Sequence, residues 1–221
     1  MAVLTFNCQD LRFCFELLKA AGRFPEIIIT MLKHILLIFN AFWVLSLAFG
    51  WSLPLQAQSD KWEEFKSYEG RFRVLAPGPL QHRVDSVETS IGTLAYHTFF
   101  YQPPKEEESK ADNLLYMLSY CDYPENTVHS DSAALLEEFF DATIEQAVKS
   151  VKGELAYSSV QDYFGYPGRI WRIDYLNEKA VVKTRAVVVG SRYYSLQTAM
   201  VRERNLNPSA NRFLDSLRLL E

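Results

Sequence analysis

Apolar and polar side chains alternate along the stretch Arg169–Arg202, which reads as three successive antiparallel strands with their turns. A period of two is typical of strands, because successive side chains point to opposite faces of a sheet. In the first of these strands Trp171 and Ile173 alternate with Arg172 and Asp174. The pattern therefore predicts a β-meander with charges on one face and apolar groups on the other.

Two turns set the register of this meander. Gly190–Ser191 is a two-residue hairpin loop, in which the leading glycine supplies the positive φ of a type II′ turn. A tight turn at Glu178–Lys179 would place Asp174 opposite Lys183. We therefore expect these two side chains to form a cross-strand ion pair on a partly exposed face.

The remaining elements surround the meander. Leu114–Tyr123 is apolar on both faces, which predicts an interior strand. The one long helix begins near Ser130 or Asp131, either of which can cap it, and ends at Gly153, since its apolar residues recur at three- and four-residue spacing. Asn207–Pro208 indicates a cap and the start of a short C-terminal helix.

Trp62, Phe65 and Tyr68 lie among charges near the start of this series, at a spacing that fits one helical turn or a clamp over a sheet edge. Together the elements predict an α+β fold. We expect an antiparallel sheet of about seven to eight strands, one long helix and a short C-terminal helix, arranged as an α/β/α sandwich.

A basic start, a short apolar run and a small residue mark residues 31–57 as a signal peptide ending at Ala57. The apolar run has fifteen uncharged residues, whereas a membrane span needs about 20; an uncleaved anchor is the alternative. Residues 1–30 indicate a misassigned start, with Met31 the true one, or an unstructured extension. We expect residues 58–221 to form a single globular α+β domain in an extracytoplasmic compartment, periplasmic or secreted.

Charge narrows the classes of partner. Residues 1–57 hold four of the 23 basic and three of the 27 acidic residues, which leaves 19 and 24 in the predicted mature domain and a net charge of −5. Nucleic-acid binding calls for a strongly basic face, so we expect no nucleic-acid partner. Contact with a membrane is expected only through an uncleaved export signal.

Few side chains of the mature domain suit metal or covalent chemistry. Cys121 is its single cysteine, so no internal disulfide forms and stability must come from the core. A turn at Ile91–Gly92 would leave His82 and His97 unopposed, whereas a metal site needs three or four converging donors. We expect no metal and no cofactor.

The sequence contains no Gly-x-Ser-x-Gly elbow and no phosphate-binding loop, although the residues of a Ser/His/Asp triad can occur in any order along a chain. Structural pairing across strands is the favoured interpretation of the charged residues. A small extracytoplasmic hydrolase with a pocket near Cys121 and Asp122 is the alternative. The polar groups that we select for inspection are Asp122, Tyr123, Arg169, Arg172, Asp174 and Arg185.

Four segments carry a resemblance to a known group. The order of elements and the segments Gly70–Pro77 (GRFRVLAP), Tyr120–Pro124 (YCDYP), Gly165–Arg169 and Phe213–Leu217 resemble the exported PsbP-like and DcrB-like α/β/α sandwich domains over residues 68–219. The resemblance implies a non-enzymatic accessory domain that binds a protein of the envelope or a small ligand. It carries no functional residue across, because these segments are structural.

Overall fold

The computed structural model describes residues 62–89, 91–124 and 127–220. The extension predicted at residues 1–30 and the signal peptide predicted at residues 31–57 lie outside the described residues.

Two antiparallel sheets form the framework. The larger has seven strands, in the spatial order β3 (Gln81–Thr89), β4 (Gly92–Tyr101), β5 (Leu115–Asp122), β9 (Arg192–Val201), β8 (Ala180–Val189), β7 (Tyr166–Tyr175) and β6 (Glu154–Tyr163). The smaller has three strands, in the order β1 (Glu63–Ser67), β2 (Phe72–Ala76) and β10 (Arg218–Leu219).

The helices and the small sheet lie on opposite faces of the large sheet. Helix α1 (Ala133–Val151) packs on one face, and the small sheet together with helix α2 (Pro208–Leu214) packs on the other. A 3₁₀ turn (Arg202–Arg204) joins β9 to α2. The predicted α+β fold, with one long and one short helix on an antiparallel sheet, is confirmed. The three-stranded sheet was not predicted from the sequence.

The middle strands of the large sheet are buried on both faces, as the sequence predicted. On β8 and β9, Val188 faces α1 beside Tyr193, while Val187 and Tyr194 belong to the core on the other face. Gly190 has a φ of 59° in the hairpin loop that joins these strands. The register that the Gly190–Ser191 turn predicts is therefore confirmed.

The segment that carries Trp62, Phe65 and Tyr68 contains a strand, β1, rather than a helical turn. Phe65 lies on β1, and its ring contacts those of Phe72 at 6.1 Å and Phe99 at 5.2 Å between centroids. Trp62 meets Tyr116 edge-on at 5.7 Å. These rings attach the small sheet to the large one, and pairing with β2 fixes the extended backbone.

The hairpin between β7 and β8 differs from its predicted register by two residues. Four residues rather than two connect the strands, and Leu176, Asn177 and Glu178 all have positive φ. Asp174 lies opposite Val181 instead of Lys183. A shift of two leaves every side chain on its predicted face, but the predicted Asp174–Lys183 ion pair is wrong.

The β3–β4 hairpin shows the same kind of error, because Thr89 pairs with Gly92. His97 consequently lies opposite Val84 and one diagonal step from His82. His82 and His97 are not directly opposed, as expected, but their imidazole rings stack with centroids 5.6 Å apart.

Both ends of α1 differ from the prediction. Ser132 occupies the N-cap position instead of Ser130 or Asp131, and its side chain makes no capping hydrogen bond. At the C-terminus Lys152 takes the left-handed conformation, with a φ of 50°. A Cβ atom at Gly153 would lie 2.7 Å from the carbonyl oxygen of Asp174, so this glycine serves close packing against β7.

We expect Lys152→Gly to stabilise the domain by about 0.5–1 kcal/mol, because glycine adopts the left-handed conformation without the strain imposed by a Cβ atom. Urea unfolding of the wild type and the variant measures the difference. Lys149→Gly, within the last turn of α1, is the matched control and should destabilise by about 1 kcal/mol. A loss of stability in Lys152→Gly would contradict the assignment.

Candidate functional site

Three basic side chains lie side by side where β7 meets β8, on the face of the large sheet that also carries α2. Arg172 lies directly opposite Lys183, and Arg185 follows two residues along β8 on the same face. We call Arg172, Lys183 and Arg185 the cationic patch. Like charges on directly opposed residues destabilise a sheet, so the surrounding groups must compensate.

Asp174 neutralises one end of the patch. Its Oδ1 and Oδ2 atoms accept hydrogen bonds from Nε (2.7 Å) and Nη2 (3.0 Å) of Arg172. Nη1 of Arg202 donates to the same carboxylate at 2.9 Å and lies 2.9 Å from Glu178 Oε2. With only 12% of its side chain exposed, Asp174 holds two guanidinium groups and connects β7 to the 3₁₀ turn after β9.

Asp215, which follows α2, is the counterion at the other end. Its Oδ1 lies 2.7 Å from Nη1 of Arg185. The same guanidinium lies over the ring of Tyr163, 5.6 Å from its centroid. This carboxylate is 56% exposed, so water screens the pair and leaves Arg185 only partly compensated.

Lys183 lies between the two arginines and has no carboxylate partner among the described residues. Its ammonium group donates a hydrogen bond to the backbone carbonyl of Asn205. Burial, and secondly repulsion by Arg172, lowers the pKa of Lys183 below its usual value. The patch therefore keeps one positive charge without a partner of opposite sign.

Two polar atoms of this region are buried and, among the described residues, unpartnered. They are Nε of Arg185 and Oγ1 of Thr198, and Thr198 lies opposite Lys183 on β9. Buried polar groups are normally hydrogen-bonded. Two atoms without a hydrogen-bond partner in the described ranges thus lie close to the ammonium group of Lys183.

The patch opens towards β6, where cover by α2 ends. Tyr157 lies opposite Arg172 on this strand and is exposed, and Ile170 beside it is half-buried. Tyr157 and Ile170 thus give the patch an apolar border on the solvent side. Charged groups beside apolar surface form an arrangement typical of protein-binding surfaces.

Arg169, another selected residue, lies on the opposite face of the sheet. Its Nη1 atom is 3.0 Å from Asp141 and its Nη2 atom 3.9 Å from Glu137, both on α1. The guanidinium also lies 5.8 Å from the ring centroid of Phe140. Arg169 therefore attaches α1 to the sheet and does not belong to the patch.

Asp122 forms a separate site at the far end of β5. Its carboxylate accepts two hydrogen bonds from Arg192, at 2.5 and 2.6 Å, and these bonds raise the pKa of Arg192. The guanidinium also donates to the carbonyl of Glu69 at 2.9 Å and lies 4.7 Å from the Tyr120 ring centroid. Burial raises the pKa of Tyr120 to about 12. This cluster ties the β1–β2 turn to the large sheet.

Tyr123 and Cys121 lie on the α1 side. The Tyr123 hydroxyl is 3.0 Å from that of Tyr96, and burial raises its pKa well above the usual value. Cys121 is fully buried in the α1-side core. Because neighbouring residues of a strand point to opposite faces, the sheet separates its thiol from the carboxylate of Asp122.

The structure thus brings together Arg172, Asp174 and Arg185 of the selected residues. Their partners Arg202 and Asp215 were not among the residues selected from the sequence. Arg202 lies 28 positions beyond Asp174, and only the true β7–β8 register shows that they meet. Asp215 follows a helix whose docking position no local pattern gives.

The described ranges hold no group of three or more His, Cys, Asp or Glu side chains arranged to bind a metal ion. Neither helix in these ranges combines the length and hydropathy that crossing a bilayer requires.

Comparison with known proteins gives a likeness of fold. No protein-family model matches the chain, and no curated protein matches it by sequence. The solution structure of cyanobacterial PsbP (CyanoP) from Synechocystis sp. PCC 6803 is similar, with a TM-score of 0.49 and 10% identity over 74% of this chain and 95% of that chain. This solved structure is a PsbP protein, the group that the sequence resembles.

We expect Asp174→Asn to destabilise the domain by about 1.5–3 kcal/mol, because it removes charge-assisted hydrogen bonds to two guanidinium groups. Asp215→Asn is the control, and loss of its exposed ion pair should cost less than about 1 kcal/mol. Urea unfolding at neutral pH compares the two variants. Equal losses in both would contradict a central role for Asp174.

Proposed function

We propose that the chain is an exported, non-enzymatic accessory domain that binds an acidic protein surface through the cationic patch in an extracytoplasmic compartment. The observation that carries the proposal is the ammonium group of Lys183, which lies beside Arg172 and Arg185 and has no carboxylate partner among the described residues. The export signal predicted at residues 31–57 supports the compartment.

Charge complementarity favours an acidic partner. The predicted mature domain has a net charge of −5, so an acidic protein is repelled by most of its surface and attracted locally by the patch. Such an arrangement fixes the orientation of the complex more than it raises affinity. The guanidinium groups of Arg172 and Arg185 suit carboxylates, since each presents several donors in a rigid plane.

Binding explains the patch better than catalysis does. The carboxylate of Asp174 accepts hydrogen bonds from two arginines, and that of Asp215 is held by Arg185. A general base needs a carboxylate that can reach a substrate proton, and ion pairing opposes this. The alternative hydrolase near Cys121 and Asp122 gains no support, because those side chains lie on opposite sides of the sheet.

The cationic patch also destabilises the free protein, through the charge of Lys183. Because the pKa of Lys183 is lowered in the fold, its proton is held less tightly than in the unfolded chain. Charged Lys183 therefore lowers the free energy of unfolding at neutral pH. This loss disappears as the pH rises from the pKa of Lys183 in the folded protein to its usual pKa in the unfolded chain. An acidic partner would supply the missing counterion.

We expect an octaglutamate peptide to bind the purified protein at low salt and to shift the NMR signals of Tyr157, Arg172 and Lys183. Lys183→Met should weaken binding about five- to tenfold, corresponding to about 1–1.4 kcal/mol. Lys149→Met, on the exposed face of α1, is the control and should bind like the wild type. Binding should weaken as pH rises towards lysine's usual pKa, since the ammonium is lost early.

Affinity capture from the native envelope tests the proposal with natural partners. A partner retained by wild type and Lys149→Met, and lost with Lys183→Met, is the expected result. Failure of the wild type to retain any protein, or equal retention by all three, would contradict the proposal.

A further inference from the structure

The two edges of the large sheet differ in how they are protected. At one edge β3 carries Arg83, Asp85 and Glu88, and charged side chains along an edge oppose pairing with another strand. At the other edge β6 has no charged residue and no proline between Tyr157 and Gln161. From Tyr157 to Gln161 the β6 edge thus lacks the charges and prolines that oppose pairing with another strand.

β6 is also long and open to solvent. Among the described residues its backbone pairs with β7 alone, and Leu155, Tyr157 and Val160 are exposed apolar side chains. The irregular pairing between Leu155 and Tyr157 leaves the seven residues to Tyr163 regular. Unpaired N–H and C=O groups along such an edge are a template for a further strand.

We propose that a second copy of this chain pairs antiparallel with β6, about a two-fold axis through Val160. In this register Val160 meets its own counterpart and Tyr157 meets Tyr163 of the other copy. Identical strands paired about an axis perpendicular to the sheet keep each side chain on its own face. The two large sheets then continue into one another.

Self-complementarity is the reason to prefer a second copy over a foreign strand. Asp162 faces Ser158 of the other copy in this register, so the two Asp162 carboxylates do not oppose each other. Val160, 74% exposed, is buried at the axis against an identical side chain. The segment from Tyr157 to Gln161 offers no charge that would select a charged foreign segment.

We expect the full chain to show a concentration-dependent dimer in sedimentation velocity, and Val160→Lys to be monomeric at the same concentrations. The lysine places two like charges at the axis. Val84→Lys is the matched control, because Val84 is an exposed valine (49%) on the protected edge β3, and this variant should still dimerise. Circular dichroism of each variant confirms that it is folded.

Cross-linking tests the register separately. In a Cys8→Ser, Cys14→Ser background, Val160→Cys should be joined to its counterpart by a short bismaleimide. Ser158→Cys should not, since the two copies of that residue lie about 14 Å apart in this register. A monomeric wild type, a dimer that persists in Val160→Lys, or equal cross-linking at both positions would overturn the proposal. A wild type that stays monomeric and pairs with a foreign strand would also do so.

Discussion

Incomplete cover of the large sheet at its β6 edge is the constraint on which the rest of the structure depends. Helix α1 has 19 residues and α2 has seven, and neither covers β6, whose residues from Glu154 to Val160 are exposed on both faces of the sheet. Strand β5 is apolar on both sides because both sides are covered, whereas β8 carries Lys183 and Arg185 on the side of α2. Charged side chains therefore collect where cover by α2 ends, and the cationic patch and the open β6 edge adjoin there.

Asp174 offsets the repulsion between the positive charges that collect on this part of the sheet. It binds guanidinium groups from β7 and from the 3₁₀ turn after β9, and so joins segments that are distant in sequence. Lys183 receives no such compensation among the described residues. Surfaces that bind partners often carry groups that do not stabilise the free protein, and Lys183 fits that description.

Most of the fold could be predicted from the sequence, because alternation and helical periodicity report which face each residue occupies. Trp171 and Ile173 lie on their predicted face although the β7–β8 register differs by two residues, since an even shift preserves faces. The hydrogen-bond and ion-pair partners of the side chains could not be predicted from the sequence, because they depend on the geometry of the turns. Leu176, Asn177 and Glu178 all have positive φ, and this turn brings Asp174 to Arg202 rather than to Lys183. No local sequence pattern predicts that conformation.

Both proposals place the interaction surface of the protein at β6 and the adjoining part of β7, which the helices leave uncovered. Hydroxyl-radical footprinting of the protein in its native compartment, compared with dilute purified protein, tests this placement. We expect Tyr157 and Val160 to lose reactivity in the compartment, while the exposed side chains Tyr68 and Val84 react equally in both. Protection of Tyr68 or Val84, with Tyr157 and Val160 unchanged, would contradict it.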